Sequence, residues 1–335
     1  MKIAIVRLTA MGDIVHTLAS IQFIRKFIPN IEITWFVEEK FEEILKYNPH
    51  VDKVVPINLS KLKTNFSFSY LVEIYKYIKD RGEFNLVIDV QGLIKSALIA
   101  KISGKNVAGL DWKSTRESIA TLLYKYTYSV DCSGIAPMRF ASLISQALNI
   151  EITEEMMKNK SPYLYAKEDK NTNVIDNFFK RDKRNVLIAT GASNESKTYP
   201  PHKFAELATM LQEYNLLLIA GSEKERASAK IIEDNSPAKL LPPINLNTLK
   251  YAVSKCDLLI GGDTGPSHIA WAMNKPSIIL FGSTPKSMMM ETPINIAIIS
   301  GAKVHPCRFD KSDRSIATID PELIAKKVKA LINDK

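Results

Sequence analysis

Short runs of β-branched and other apolar residues alternate along the chain with longer stretches whose apolar positions recur at helical spacing. That alternation predicts parallel sheets covered by helices. In the first half the strand candidates are "KIAIV" from Lys2, "EITWFV" from Glu32, "KVVPI" from Lys53, "NLVIDV" from Asn85 and "NVAGL" from Asn106. Helical spacing marks Ile14 to Ile28, Phe68 to Lys79 and Ser114 to Tyr126 between them. A polar, lysine-rich connector, "TEEMMKNKSPYLYAKEDKNTN", follows, and the alternation then restarts with "NVLIAT", "LLLIAG", "DLLIGG" and "SIILFG". A last helix is expected over Pro321 to Ile332, with Asp320 as its cap and proline in its first turn. The pattern predicts an α/β protein of two doubly wound domains, residues 1–160 and 161–335, the last helix being able to pack back on the first domain.

Composition narrows the class without choosing a function. Charged residues make up 24% of the 335 and hydrophobic ones 46%, which are globular values. Arg7 interrupts the first apolar run too early for a secretory signal, and no run approaches the ~18 apolar residues of a membrane span. Cys132, Cys256 and Cys307 are widely spaced with no Cys-x-x-Cys, arguing against a disulfide framework and a zinc site; a cytoplasmic protein is expected. The net charge of +9 is uneven, since Lys53 to Lys125 holds twelve Lys and Arg against six Asp and Glu. Such an excess fits a solvated face or one that meets an anionic partner, whether nucleic acid, acidic lipid or a phosphorylated glycan.

Ligands of open parallel sheets bind beyond the carboxyl ends of the strands, so the strand-end loops are where chemistry is expected. After the first strand, "RLTAMGDIVHT" brings Gly12 and Asp13 to the start of a helix, where the carboxylate either caps the helix or accepts a proton. This loop lacks Gly-x-Gly-x-x-Gly, which disfavours a dinucleotide cofactor. The loop "ATGASNESKTYP" offers hydroxyls, including Ser193, and ends on Lys197, a set suited to phosphate oxygens, although no Walker lysine occurs. In "AGSEKERAS", Glu223 and Glu225 stand in a first helical turn, as dipole partners or as acceptors for ribose hydroxyls. "GGDTGPSH" carries Asp263, Thr264, Gly265 and His268. Its Asp-Thr-Gly has no second copy to make an aspartic-protease dyad, and Gly-Pro-Ser-His-Ile lacks the closing glycine of a nucleophile elbow. What remains is a helix N-terminus suited to an anion such as pyrophosphate.

Taken together, "MGDIVHTLAS", "VIDVQGLIKSALIAKISG", "GLDWKSTRES", "SKTYP" and "GGDTGPSHIAWAMNKPSIILFGSTP" resemble the bacterial ADP-heptose lipopolysaccharide heptosyltransferases of glycosyltransferase family 9. "DVQGLIKSA" and "DWKSTRES" resemble the branch that attaches the first core heptose to Kdo-lipid A, and the similarity runs from the first strand to at least Pro285. The resemblance implies a GT-B fold, ADP-L-glycero-D-manno-heptose bound mainly by the second domain and Kdo-lipid A by the first. It implies inverting transfer at the cytoplasmic face of the inner membrane, with the enzyme peripheral to that membrane. Asp13 falls on the general base, and Lys197 on the lysine at the donor phosphates. Gly12, Ser193, Asp263, Thr264, Gly265 and His268 fall on the donor side, with Glu223, or Glu225, at the ribose. Arg7, Lys61, Lys63 and Arg116 fall on the basic acceptor side. Thr9-Ala10 and Arg7 depart from residues common in relatives, which bears on acceptor contacts.

No Asp-x-Asp occurs, so no cofactor and no essential divalent metal is expected. Within the family the rival is an enzyme acting on a heptose acceptor; outside catalysis it is a nucleotide-sugar or solute binding protein. A nicotinamide-dependent epimerase is disfavoured by the missing glycine motif. The modest charge excess and the want of an aromatic-basic motif argue against a nucleic-acid partner.

Overall fold

The computed structural model describes residues 1–64, 67–192, 194–307 and 310–333. The chain divides into two compact units, Met1–Tyr163 and Leu164–Lys335, so the division falls inside the polar connector. In the first unit β1 (Lys2–Val6), β2 (Glu32–Glu38), β3 (Lys53–Ile57), β4 (Leu86–Asp89), β5 (Val107–Leu110) and β6 (Tyr126–Tyr128) form one sheet in the order β3-β2-β1-β4-β5-β6. In the second, β7 (Asn185–Ala189), β8 (Asn215–Ile219), β9 (Lys239–Leu240), β10 (Leu258–Gly262), β11 (Ser277–Phe281) and β12 (Asn295–Ile299) are ordered β12-β11-β10-β7-β8-β9. Every pairing in both sheets is parallel. Ile3, Ala4, Ile5 and Val6 on β1, like Leu258, Leu259 and Ile260 on β10, are fully buried, as strands covered on both faces must be.

Both orders reverse direction at a single place, between β1 and β4 in the first sheet and between β7 and β10 in the second. There the connections on either side leave toward opposite faces, opening a crevice at the strands' carboxyl ends.

Two local expectations need correction. The helix expected over Ile14 to Ile28 is two, Met11–Leu18 and Ile21–Phe27. At the break the Ser20 amide donates to Thr17 O at 3.1 Å, three residues back, tightening the turn. The helix expected over Ser114 to Tyr126 is a 3₁₀ segment, Ser118–Leu123, followed by β6. Tyr124 explains the change: its hydroxyl donates to buried Asp89 at 2.7 Å, and a Cβ on Gly109 would lie 2.4 Å from its ring. The chain is thereby pulled out of helical register and onto the edge of β5. The helix Pro321–Asn333 joins the second unit's core through Ile324, Ala325, Val328 and Ile332. Asp320 does cap it, accepting the Glu322 amide at 2.9 Å. Cys256 is a buried thiol.

Candidate active site

At the switch point of the first sheet the loops after β1 and β4 are tied together. Gln91 Oε1 accepts the Leu8 amide at 2.8 Å and Gln91 Nε2 donates to Thr9 Oγ1 at 3.2 Å. Arg7 Nη1 donates to Val90 O at 2.8 Å. The Arg7 guanidinium also pairs with Asp13 and lies 4.7 Å from the Phe140 ring centroid. Asp13 stands in the first turn of the helix Met11–Leu18, where a carboxylate is favoured by the helix dipole. Its side chain keeps 28% exposure against 7% for Arg7, so the base candidate faces solvent while its partner is embedded.

Arg139, on the helix Ala136–Leu148, completes this group. Burial lowers its guanidinium from the ordinary value; Asp13 raises it in part, and Arg116 and Arg7 lower it further. Arg139 thus lies within electrostatic reach of Asp13, which Arg7 pairs directly. Asp89, at the end of β4, accepts from Gln91, Gly92, Ser96 and Tyr124. Burial pushes its carboxyl up, and these hydrogen bonds oppose the shift.

The second sheet repeats the theme. Lys197 Nζ lies 2.6 Å from Asp263 Oδ2, and His268 Nε2 lies 3.1 Å from Asp263 Oδ1. Burial opposes ionisation of Asp263, but the His268 hydrogen bond and the Lys197 charge together hold its carboxyl below the usual carboxylate range. Asp263 is therefore an anion at neutral pH, with a cation on one oxygen and an imidazole N–H on the other.

Lys197 is placed by its loop. The 3₁₀ turn Glu195–Lys197 is capped by Asn194, which accepts the Ser196 amide at 3.2 Å. Ser283, from the loop after β11, donates to Ser196 O at 3.1 Å. A Cβ on Gly262 would sit 2.5 Å from Lys197 O, so only glycine lets β10 pass beneath this turn. Thr264 is the N-cap of the helix Gly265–Ala272; its Oγ1 is buried and has no hydrogen-bond partner among the described residues. A hydroxyl, the first amides of the helix and an ammonium thus converge where β7 and β10 part.

The sequence candidates fare unevenly. Asp13, Arg7 and Gly12 share the first switch point, and Lys197, Asp263, Thr264, Gly265 and His268 share the second. Arg7 is buried with its guanidinium engaged, which suits a residue that orients Asp13 better than one that receives an acceptor anion. Glu223 makes no described hydrogen bond at the strand ends, whereas Glu225 Oε2 accepts the Gly221 amide at 2.6 Å and the Glu225 side chain fills the space over Gly191. The structure therefore brings Glu225 to the β7 and β8 ends. Lys61 is exposed, its Nζ 4.3 Å from the Tyr70 ring centroid. Arg116 is also exposed, within electrostatic reach of Arg139. Ser193 and the side chain of Lys63 lie outside the described residues. Gln91, Arg139 and Ser283 were not read from the sequence; Gln91 and Ser283 lay inside noted motifs, but no local signal marks Arg139.

Two doubly wound domains, one with a carboxylate beside its first helix and the other with a cation at a helix N-terminus, have the architecture of a GT-B glycosyltransferase. A family model described as glycosyltransferase family 9 (heptosyltransferase) matches residues 75–314. A lipopolysaccharide heptosyltransferase 1 of Campylobacter coli is 37% identical over the whole of both chains. One from Pseudomonas aeruginosa is 29% identical over 85% of this chain and 79% of its own. An Escherichia coli heptosyltransferase solved with ADP superposes with a TM-score of 0.79 at 21% identity, covering 99% of this chain and 100% of that one. The chain belongs to glycosyltransferase family 9, the heptosyltransferases.

Proposed function

We propose that this heptosyltransferase of lipopolysaccharide core synthesis moves L-glycero-D-manno-heptose from ADP-heptose to the Kdo residue of Kdo-lipid A, with inversion, at the cytoplasmic face of the inner membrane. The observation that carries the donor half is the Lys197–Asp263–His268 group beside the unpartnered Thr264 hydroxyl. Thr264 and the helix amides can donate to diphosphate oxygens, Lys197 supplies positive charge, and the ionised Asp263 can accept from sugar hydroxyls. Glu225 can accept from the ribose. The acceptor half rests on the full-length similarity to proteins named lipopolysaccharide heptosyltransferase 1. Lys61 and Arg116, both exposed, supply charge for an anionic acceptor.

In the reaction a Kdo hydroxyl attacks the anomeric carbon, the bond to the ADP oxygen breaks, and ADP leaves with the bonding electrons. Asp13 takes the hydroxyl proton as the new bond forms. Arg7 fixes the direction of the carboxylate. Donors that meet the charge growing on ADP stabilise the transition state more than the ground state.

The test is product mass after incubation with ADP-heptose and either Kdo-lipid A or an acceptor already bearing heptose. Addition of one heptose to the first is expected; turnover with the second alone would replace this reading by that of the heptose-acceptor enzyme. Because Lys197 and a helix N-terminus supply the positive charge and the sequence has no Asp-x-Asp, turnover is expected to persist in EDTA. Loss of turnover restored by Mg²⁺ would contradict that expectation. Gly262→Ala is expected to weaken ADP binding about tenfold, since overpacking against fixed backbone costs ~1–3 kcal/mol. Calorimetric titration against an unchanged circular dichroism spectrum checks it.

A further inference from the structure

On the first unit, the helix Phe68–Lys79 packs beside Ile94–Ser103, which packs beside the 3₁₀ segment Ser118–Leu123. Each turns one side to the sheet, burying Ile78, Ile99 and Ala120 respectively. Their outer sides are apolar where water-facing helices should be polar. Phe68, Val72 and Tyr75 fall at i, i+4 and i+7 of the first helix and are 75%, 37% and 48% exposed. Ile94 and Leu98, at i and i+4 of the second, are 40% and 48% exposed, and Ile119 and Leu122 on the third are 62% and 76% exposed. Single exposed apolar residues need no explanation, but a run of them across three neighbouring elements marks an interaction surface.

Charge tells which partner it fits. The stripe of the first helix continues at i+11 into Lys79, whose Nζ is 5.9 Å from the Tyr75 ring centroid, and that of the second continues at i+7 into Lys101. Lys76, Lys95 and Lys105 add further positive charge on or just beyond the two helices. Of the acidic residues on these elements and at their ends, Glu73 and Asp80 are exposed, and Glu117 is engaged by the Ile94 amide at 2.7 Å. An aliphatic and aromatic face with lysines at its border complements an anionic bilayer, whose headgroups meet the ammonium groups while the side chains between them reach the acyl boundary. Helices of a parallel unit begin at the carboxyl edge of the sheet, so Phe68 and Ile94 lie toward the edge that carries Asp13.

We infer that this three-element face docks the enzyme on an anionic phospholipid surface. The inference rests on the reading of a lipid-linked acceptor and specifies where the membrane is met. The full chain is to be floated with vesicles of phosphatidylcholine alone and of a three-to-one mixture with phosphatidylglycerol. Wild type is expected to float with the anionic vesicles, less so in high salt. Ile119→Asp with Leu122→Asp should weaken partition at least tenfold, and Lys79→Gln with Lys101→Gln by roughly fivefold per lysine. Turnover of a water-soluble Kdo acceptor without acyl chains should be unchanged in both. Wild type that stays with the buffer, or variants that float like wild type, would overturn the inference. A change from dimer to monomer in the aspartate variant, without vesicle binding by wild type, would assign the face to a second copy instead. Failure to use either Kdo acceptor would count against the proposed reaction and leave the flotation result standing.

Discussion

Asp13→Ala is expected to lower turnover about 10²–10⁴-fold, the range for losing a positioned general base, while ADP binds as before. The size follows from what the residue does. A sugar hydroxyl is far too weak an acid for a carboxylate to ionise beforehand, so the proton is transferred only as the bond forms, and the benefit is confined to the transition state. Donor binding is expected to be largely untouched because every candidate donor contact except Gly12 belongs to the second unit. The alanine also frees the Arg7 guanidinium, which keeps Val90 O and the Phe140 ring but loses its anion. Asp13→Asn separates the two effects, since it restores a polar partner for Arg7 without restoring a base. Single-turnover rates and ADP titrations on both variants are the measurement. An asparagine variant as active as wild type would reduce Asp13 to a structural partner of Arg7.

How far the sequence discloses this machinery depends on whether the cause is local. Strands such as β1 and β10 are legible because burial on both faces requires an unbroken apolar run, and the run itself is visible. Asp13, Lys197 and Asp263 stand out as candidates because chemistry at strand ends is confined to short loops. By contrast, Ser114 to Tyr126 reads as a helix because what breaks it, the bond from Tyr124 to Asp89, spans 35 residues. Gly262 looks like an ordinary turn glycine until the carbonyl of Lys197 is found where its side chain would be. The position of Glu225 at the β7 and β8 ends likewise depends on Gly191, in another loop. Arg139 reaches Asp13 through tertiary packing alone, from a helix beyond the sixth strand.

Lys197→Met should be nearly as damaging as loss of the base, and its signature is different. Removing a positioned donor to the leaving group's growing charge costs about 10²–10³ in turnover, and donor affinity should fall as well. Stability should also drop, because Asp263, with its side chain 2% exposed, keeps its charge and loses its cation. Breaking a buried pair costs ~3–5 kcal/mol; about 3 is expected here, since His268 remains and Lys197 is 18% exposed. The pH dependence identifies the cause. The Asp263 carboxyl is depressed on folding, so its contribution is full above the unfolded value of about 3.9 and disappears as pH falls through the lower folded value. The stability gap between wild type and Lys197→Met should therefore hold steady from neutral pH to about 5 and close in stronger acid, where the carboxylate is neutral in both proteins. Lys197→Arg retains the charge but not the compact ammonium, and should recover most of the stability and less of the turnover. Urea unfolding across that pH range, set beside donor kinetics, decides the matter. A gap that persists unchanged in strong acid would mean that Lys197 stabilises the domain through packing, and its pairing with Asp263 would then explain neither the fold nor the charge at the donor site.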